Sequence, residues 1–381
     1  MRSKCLVCGA SLHGEKLMSF GNMPKAAQHF PDADELSKDK TIGYNLMQCS
    51  GCGLVQLDVD AIDYYRDVIR SGGHSTTMQA LRHEQYERFM QLCPISGKRI
   101  IEVGCGQGEF LRIWREDGFP VDAYGIEHDP KLVEIARADR LNVWQGFTEE
   151  IGTVIENGPF DGFCSFNFLE HQPNPNIMLR CIYNNLKTEA YGLITVPSLE
   201  YIIREQSYYE FIRDHLVYFS RDTFCFTLEL NGFHVLSCRE VNRDTWEAIV
   251  EKKPVLDTSA MRENRENLKQ EIDSLINDLK SRGERLAVWG ASHQGLTILS
   301  SMQLENEVPY VIDSAPFKQG RYTIGSHLLI VPFEHVRKDP VQAILIIAPG
   351  YTDEIAGIIR REYGDEILIY VLRSNRLERY E

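Results

Sequence analysis

The chain has 381 residues, with 41 Lys and Arg against 55 Asp and Glu, which gives a formal net charge of −14. Hydrophobic residues make up 43% and charged residues 25%, a globular balance that excludes collagen-like, mucin-like and wholly disordered chains. The length exceeds what one ordinary core supports, so two or three domains are expected.

The acidic balance argues against non-specific nucleic-acid binding, which needs a basic surface. No apolar run reaches the ~18–20 residues of a membrane span. The start, Met1-Arg2-Ser3-Lys4-Cys5, lacks the apolar segment of a secretory signal. A cytoplasmic protein is therefore expected, with its ten cysteines as thiols or metal ligands rather than disulfides.

In chain order, the first signal is a pair of C-x-x-C-G knuckles, Cys5/Cys8 and Cys49/Cys52. The two-residue spacing lets both sulfurs of a knuckle face one ion, and the following Gly permits the tight turn. Together they predict a structural four-thiolate Zn²⁺ site in a module over 1–70, since four thiolates leave no open position for water or substrate. The rival reading, two redox C-x-x-C motifs, needs a thioredoxin-like strand–helix setting that neither has. Cys93, Cys105, Cys164, Cys181, Cys225 and Cys238 are scattered and read as small buried hydrophobes.

Residues 98–103 read as a buried strand, followed at once by Gly104-Cys105-Gly106-Gln107-Gly108. A helix comes next, with Phe110, Leu111, Ile113 and Trp114 inward. Residues 121–127 form the next strand, ending in Glu127, whose carboxylate can accept two ribose hydroxyls. Further strands are expected at 160–167 and 193–197. The fold class is α/β, with a Rossmann-like domain over 71–253. Glu102, two positions before the first Gly, makes the pattern Glu-Val-Gly-Cys-Gly-x-Gly resemble motif I of class I S-adenosylmethionine (SAM) methyltransferases. The resemblance implies SAM as cofactor, held by Glu102, Gly104, Gly106, Gly108 and Glu127. It also implies Phe147 from the segment where adenine contacts fall, and Asn167 and His171 from the turn after strand four, where Leu169-Glu170-His171 matches.

Residues 261–280 read as a charged connector helix within a linker over 254–283. Leu268, Ile272, Leu275, Ile276 and Leu279 form its packing stripe. A second Rossmann-like α/β domain is expected over 284–381, with strands at 285–289, 308–313, 343–348 and 367–372. Its turn, Gly290-Ala291-Ser292, has Ser in place of a second Gly, which argues against an NAD-binding enzyme. A helix N-terminus behind that turn can still hold a phosphate, and Lys318 and Arg321 supply cations near a strand end.

A four-Cys module, a SAM domain and a C-terminal Rossmann-like domain in this order resemble the nucleotide-sugar C-methyltransferases of deoxysugar pathways. The matching stretches include 52–57, 102–108, 169–171, 290–292, 311–313 and 318–321. The resemblance implies C-methylation next to the keto group of a nucleotide-linked 4-keto sugar, through an enolate formed by a His base. His215 takes that role here. Tyr218, Phe219 and Ser220 match after it, Asp214 stands where the family has Glu, and Ile212 where it has Tyr.

Asp214 is expected to orient His215 or the substrate, although adjacent side chains in a strand point opposite ways. Arg70, His74, Tyr218, Ser292, Lys318 and Arg321 are the expected substrate contacts. The alternative keeps SAM but moves the methyl to an oxygen or nitrogen of another sugar or small metabolite. A zinc-ribbon nucleic-acid binder with a degenerate methyltransferase core is opposed by the net charge and the intact glycines. The expected partner is a small molecule, with no nucleic acid and no membrane, and the chain is expected as a monomer or weak homo-oligomer.

Overall fold

A computed structural model describes residues 2–25, 30–62, 64–66, 75–373 and 375–381, and among these the strands gather into three sheets. Arg70 and His74 lie outside the described residues. The chain divides into two compact units, Met1–Val255 and Leu256–Glu381.

In the first unit, β1 (Met18–Pro24), β2 (Thr41–Gln48) and β3 (Val55–Leu57) form an antiparallel meander beside the cysteine knuckles. Its fourth strand comes from far along the chain. β3 pairs with a two-residue strand at Val217–Tyr218, through Val55↔Tyr218 and Gln56↔Val217. The knuckle residues Cys5, Val7, Cys49 and Leu54 share one apolar cluster with Leu216, Val217 and Phe219. A module too small for a core of its own thus borrows that of the larger domain. Gln56, fully buried, accepts from Leu6 N–H at 2.9 Å and so ties the first knuckle to the sheet.

The larger sheet begins after α1 (Thr76–Leu92). It runs through β4 (Arg99–Val103), α2 (Glu109–Glu116), β5 (Asp122–Glu127), α3 (Pro130–Ala138), β6 (Asn142–Gln145), β7 (Phe160–Phe166), α4 (Pro175–Asn184) and β8 (Leu186–Pro197). After α5 (Leu199–Arg204), β9 (the Val217–Tyr218 strand) and α6 (Arg221–Leu230), it closes with β10 (Phe233–Val241) and β11 (Thr245–Lys252). The order is β10-β11-β8-β7-β4-β5-β6, with β8 to β6 parallel and the last hairpin antiparallel.

Parallel strands covered on both faces read as continuous apolar runs, and β4 and β7 are buried along most of their length. The helix starts are written in the sequence. Asp129 caps α3 ahead of Pro130, Asn174 caps α4 ahead of Pro175, and Ser220 and Thr223 form a reciprocal capping box on α6. The expected inward set on α2 is buried, with Trp114 stacked on Tyr86 at 3.7 Å between ring centroids.

The second unit opens with α7 (Ser259–Ser281), whose expected stripe is buried against the unit's own core. It continues through β12 (Leu286–Trp289), α8 (His293–Ser301), β13 (Val311–Ile312), β14 (Ile330–Val331), β15 (Ala343–Ile346), α9 (Thr352–Tyr363), β16 (Leu368–Arg373) and β17 (Arg376–Arg379). The sheet order β14-β13-β12-β15-β16-β17 is parallel except for β17. It reverses direction between β12 and β15, the switch point at which such sheets take ligands. No helix among the described residues is long and apolar enough to cross a membrane.

One expectation changes locally. The segment around 214 and 215 is a turn rather than a strand, closed by the His215 N–H to Ile212 C=O bond of 3.2 Å. The strict alternation assumed for Asp214 and His215 therefore does not apply.

Gly295 shows why the β12–α8 turn needs glycine even without a dinucleotide. A Cβ there would lie 1.8 Å from the Gly290 carbonyl oxygen, a backbone atom that cannot move aside. Gly295→Ala is therefore expected to destabilise the second unit by roughly 3 kcal/mol and leave the first unit intact. Domain-resolved hydrogen exchange reads this directly, and unchanged protection across β12–β15 would contradict it.

Candidate active site

The expected cofactor residues converge at the C-terminal edge of β4 and β5. Gly104, Gly106 and Gly108 all have left-handed backbone, with φ of 73°, 59° and 82°, which costs glycine little. A Cβ on Gly108 would collide with Leu141 at 2.3 Å. Glu127 ends β5 and accepts three backbone N–H groups: Gly106 at 2.8 Å on Oε2, and His128 and Asp129 at 2.8 and 3.0 Å on Oε1. Three of its four acceptor sites are thus taken, and Oε2 keeps one for a ribose hydroxyl. Glu102 is buried at 1% exposure in β4, just ahead of the turn.

A small pocket is lined by Gly104, Glu127, His128, Phe147 and Phe168, with Arg66 at its edge. Phe147 meets His128 and Phe168 edge-on at 5.8 and 5.9 Å. Asn167, at φ 45°, accepts from the Thr195 hydroxyl at 2.7 Å, so β8 fixes the start of the turn after β7. These residues fit a nucleoside with a ribose hydroxyl at Glu127 and a flat base beside Phe147.

Four sulfurs gather within the same unit. Cys5 and Cys52 Sγ are 3.7 Å apart, and Cys8 and Cys49 Sγ 3.4 Å. Val7 and Cys8 N–H point at Cys5 Sγ, and Gly51 and Cys52 N–H at Cys49 Sγ, at 3.3–3.5 Å. All four lie within 4.8 Å of one another. The edge of a tetrahedron with ~2.3 Å metal–sulfur bonds is about 3.8 Å, so the cluster fits one tetrahedral ion.

The third cluster joins residues distant in sequence. Glu170 and His171 sit in a 3-10 turn after β7, and His215 ends the turn before β9. One ligand atom from each lies within 4.8 Å of the others, and the two imidazoles pack edge to face at 4.7 Å. His171 Nδ1 lies 2.9 Å from the Asp214 carbonyl oxygen. A carbonyl only accepts, so Nδ1 carries the proton and Nε2 keeps its lone pair. Nε2 is 3.9 Å from Glu170 Oε1. Burial pushes His171 down to about 4 and holds His215 well below its ordinary value, with neighbouring His171 adding to the effect. Both rings are neutral near neutral pH. Burial pushes Glu170 up to about 8.

Residues 64–66 cross from this cluster to the cofactor pocket. The Tyr64 hydroxyl donates to Asp214 Oδ1 at 2.8 Å. Arg66 Nε donates to Glu149 at 2.9 Å, and Tyr65 packs edge-on against Phe147 at 5.8 Å. Tyr218 is buried and its hydroxyl donates to the Ile212 carbonyl at 3.0 Å, so it holds the turn that carries His215.

In the second unit, the Ser292 hydroxyl caps α8 by accepting from Gly295 N–H at 3.3 Å. Lys318 Nζ bonds Asp313 Oδ2 at 2.9 Å and the Ala291 carbonyl at 3.0 Å, while Arg321 is exposed. Asp313 also accepts from Ala291 N–H at 2.9 Å. This lysine is thus tied to the turn rather than left as a free surface charge. The sequence reading passed over Glu170, Tyr64 and Arg213 as site residues. Glu170 was the one with a signal, lying inside the matched Leu-Glu-His turn.

The Glu170 value has a checkable sign. Its folded value exceeds the 4.5 of an ordinary Glu, so the folded chain holds a proton that the unfolded chain releases. Its contribution is intact at low pH and is lost as pH rises from about 4.5 to about 8. Glu170→Gln removes that loss. Its melting temperature should therefore decline less than the wild type's across this window, and parallel curves would contradict the assignment.

Comparisons with known proteins follow the same division of the chain. The methyltransferase domain family matches residues 78–238, and the C-methyltransferase C-terminal domain family matches 248–370. C-methyltransferase NovU of Streptomyces niveus is 23% identical over 393 aligned residues, covering 92% of this chain and 91% of that protein. A ubiquinone biosynthesis O-methyltransferase of Xylella fastidiosa is 26% identical over 163 residues, covering 37% of this chain and 65% of the relative. Among solved structures, a SAM-dependent methyltransferase from Archaeoglobus fulgidus is 20% identical, with TM-score 0.35, covering 46% of this chain and 94% of its own. A methyltransferase domain carrying the SAM turn is followed here by the C-methyltransferase C-terminal domain, in a chain matched to one relative over nine-tenths of both lengths. These matches are consistent with the C-methyltransferase family, and the chain is a SAM-dependent methyltransferase.

Proposed function

We propose that the protein transfers a methyl group to the carbon next to the ketone of a nucleotide-linked 4-keto deoxysugar, with His215 as the base. The observation that carries this reading is the Glu170–His171–His215 cluster. It is a neutral pair of imidazoles, His171 buried and His215 partly exposed, bridged by residues 64–66 to the wall of the cofactor pocket. SAM, when bound, supplies an electrophilic methyl on a sulfonium. Glu127 would hold a ribose hydroxyl, the turn Gly104–Gly108 would let the backbone approach it, and Phe147 would flank its base. Glu102, Asn167 and His171 would shape the methionine end.

A ketone at C4 acidifies the C3 hydrogen. His215 takes that proton as the C3–H pair becomes the C3=C4 bond and the carbonyl pair moves to oxygen. The enolate carbon then takes the methyl, and the departing sulfur keeps the bond pair. A depressed His is a weak base at rest, but the negative charge forming beside it favours its imidazolium. Asp214, tied to Tyr64, orients the turn that carries it. Within the second unit by itself, Ser292, Lys318 and Arg321 would hold a phosphate, with Lys318 exchanging Asp313 for it. Arg70 and His74 would reach the sugar. The acceptor is a soluble metabolite of the cytoplasm, met by a monomer or weak homo-oligomer.

A second reading, methyl transfer to oxygen, draws on Ile212. Across the turn from His215 it offers no hydroxyl for an enolate, and O-methyltransferase relatives match the same domain.

The four thiolates would hold a structural Zn²⁺. Because β3 pairs with β9, loss of the ion should loosen the His215 turn as well as the module. Cys49→Ser is expected to lower bound zinc below one equivalent and turnover in proportion, measured by elemental analysis beside the transfer assay. Full activity without zinc would contradict the structural role.

His215→Ala is expected to reduce methyl transfer by at least ~100-fold while binding S-adenosylhomocysteine as the wild type does. Glu127→Ala is expected to weaken that binding about 10–100-fold through loss of charged hydrogen bonds. Calorimetric titration of both variants separates the two roles, and near-normal turnover of His215→Ala would exclude it as base.

A further inference from the structure

The turn that ends in His215 carries a second group with unmet bonding capacity. Arg213 is only 9% exposed, yet among the described residues its Nε and Nη1 groups have no hydrogen-bond partner. Its Nη2 makes a long 3.5 Å bond to the Ala61 carbonyl. Asp214 beside it is 4% exposed, and its Oδ2 also lacks a partner, while Oδ1 accepts from Tyr64. The charges of Asp214 and Asp60 and the phenols of Tyr44 and Tyr64 act on the guanidinium, but none of them closes a bond to Nε or Nη1. A cation buried this way is strongly unfavourable, and a hydrophobic side chain of similar size would be the more stable choice for a purely structural position. Unpaired, pre-oriented donors of this kind are what a developing negative charge requires.

The proton-abstraction reading supplies such a charge. Removing the proton next to a ketone moves an electron pair onto the carbonyl oxygen, which then needs a donor near the base. Ile212, the residue across the turn, cannot give one. We propose that Arg213 holds the acceptor oxygen on which negative charge develops, through its unpaired N–H groups, while Tyr64 keeps Asp214 fixed beside it. This inference rests on that reading and adds to it the group that stabilises the enolate. In bond terms, C3–H breaks, the proton goes to His215, C3=C4 forms, and the oxygen carries the charge that Arg213 meets. No redox partner is required.

The test separates proton abstraction from methyl transfer. The full chain is loaded with S-adenosylhomocysteine, which carries no transferable methyl, and given a nucleotide-linked 4-keto sugar in D₂O. Deuterium entering at C3 is followed by NMR. Arg213→Met should slow exchange about 10²–10³-fold, leave S-adenosylhomocysteine affinity unchanged, and keep or raise the melting temperature. Arg213→Lys, which keeps the charge, should exchange at an intermediate rate.

A lowered melting temperature together with lost cofactor affinity in both variants would make Arg213 structural and overturn the proposal. So would a raised KM with exchange intact at saturation, which marks a contact to an unreacting group. Exchange that survives His215→Ala but not Arg213→Met would remove the base assignment and keep Arg213. No exchange by the wild type with any keto sugar would remove both.

Discussion

The backbone of Leu216 decides where the chemistry sits. Its N–H donates to the Glu170 carbonyl at 2.9 Å and its C=O accepts from Leu57 N–H at 3.0 Å. One peptide segment is therefore pinned on one side to the turn after β7 and on the other to the last strand of the cysteine module. His215 comes immediately before it. The module matters through this clamp, since it contributes the sheet on which β9, the strand that follows the Ile212–His215 turn, is laid down. Two knuckles at the start of the chain and a histidine beyond residue 210 become one mechanical unit. The shared apolar cluster of Cys5, Val7, Cys49, Leu216 and Phe219 is its packing counterpart.

Burial is then used in two opposite senses. At the cofactor turn the Glu127 carboxylate takes three amides, and the glycines give the backbone its left-handed path. Around His215, capacity is left open. Among the described residues, Glu170 and Asp214 each have a buried oxygen without a hydrogen-bond partner, and Arg213 has two such nitrogens. Such groups reduce stability, and those on the two turns joined by Leu216 lie where the proposed acceptor would be held. The contrast separates a rigid cofactor cradle from a reactive cleft within one domain.

Much of this was legible in the chain. Parallel strands appear as apolar runs, caps as Asp-Pro and Asn-Pro pairs, and the cofactor turn as glycines behind Glu102. The paired knuckles predicted the sulfur cluster, because two-residue spacing fixes local geometry whatever the distance between pairs. Contacts between distant turns were not legible. Nothing local says that Glu170 and His215 meet, or that Tyr64 reaches Asp214. The turn at 212–215 was read as a strand, because apolar and aromatic residues follow it and the i to i+3 hydrogen bond leaves no compositional trace. Lys318 reads as a cation near a strand end and a substrate contact, and its bond to Asp313, the last residue of the expected strand 308–313, leaves no trace in the local pattern.

The central claim is that this fold delivers a methyl group to carbon through a base on the clamped turn. The most direct measurement is transfer from ¹³C-methyl SAM to a panel of nucleotide sugars with and without a 4-keto group, read by carbon–proton NMR. A carbon-bound methyl appearing only with keto sugars is the result this account predicts. A methyl signal on oxygen or nitrogen, or equal labelling of sugars that lack the ketone, would contradict it.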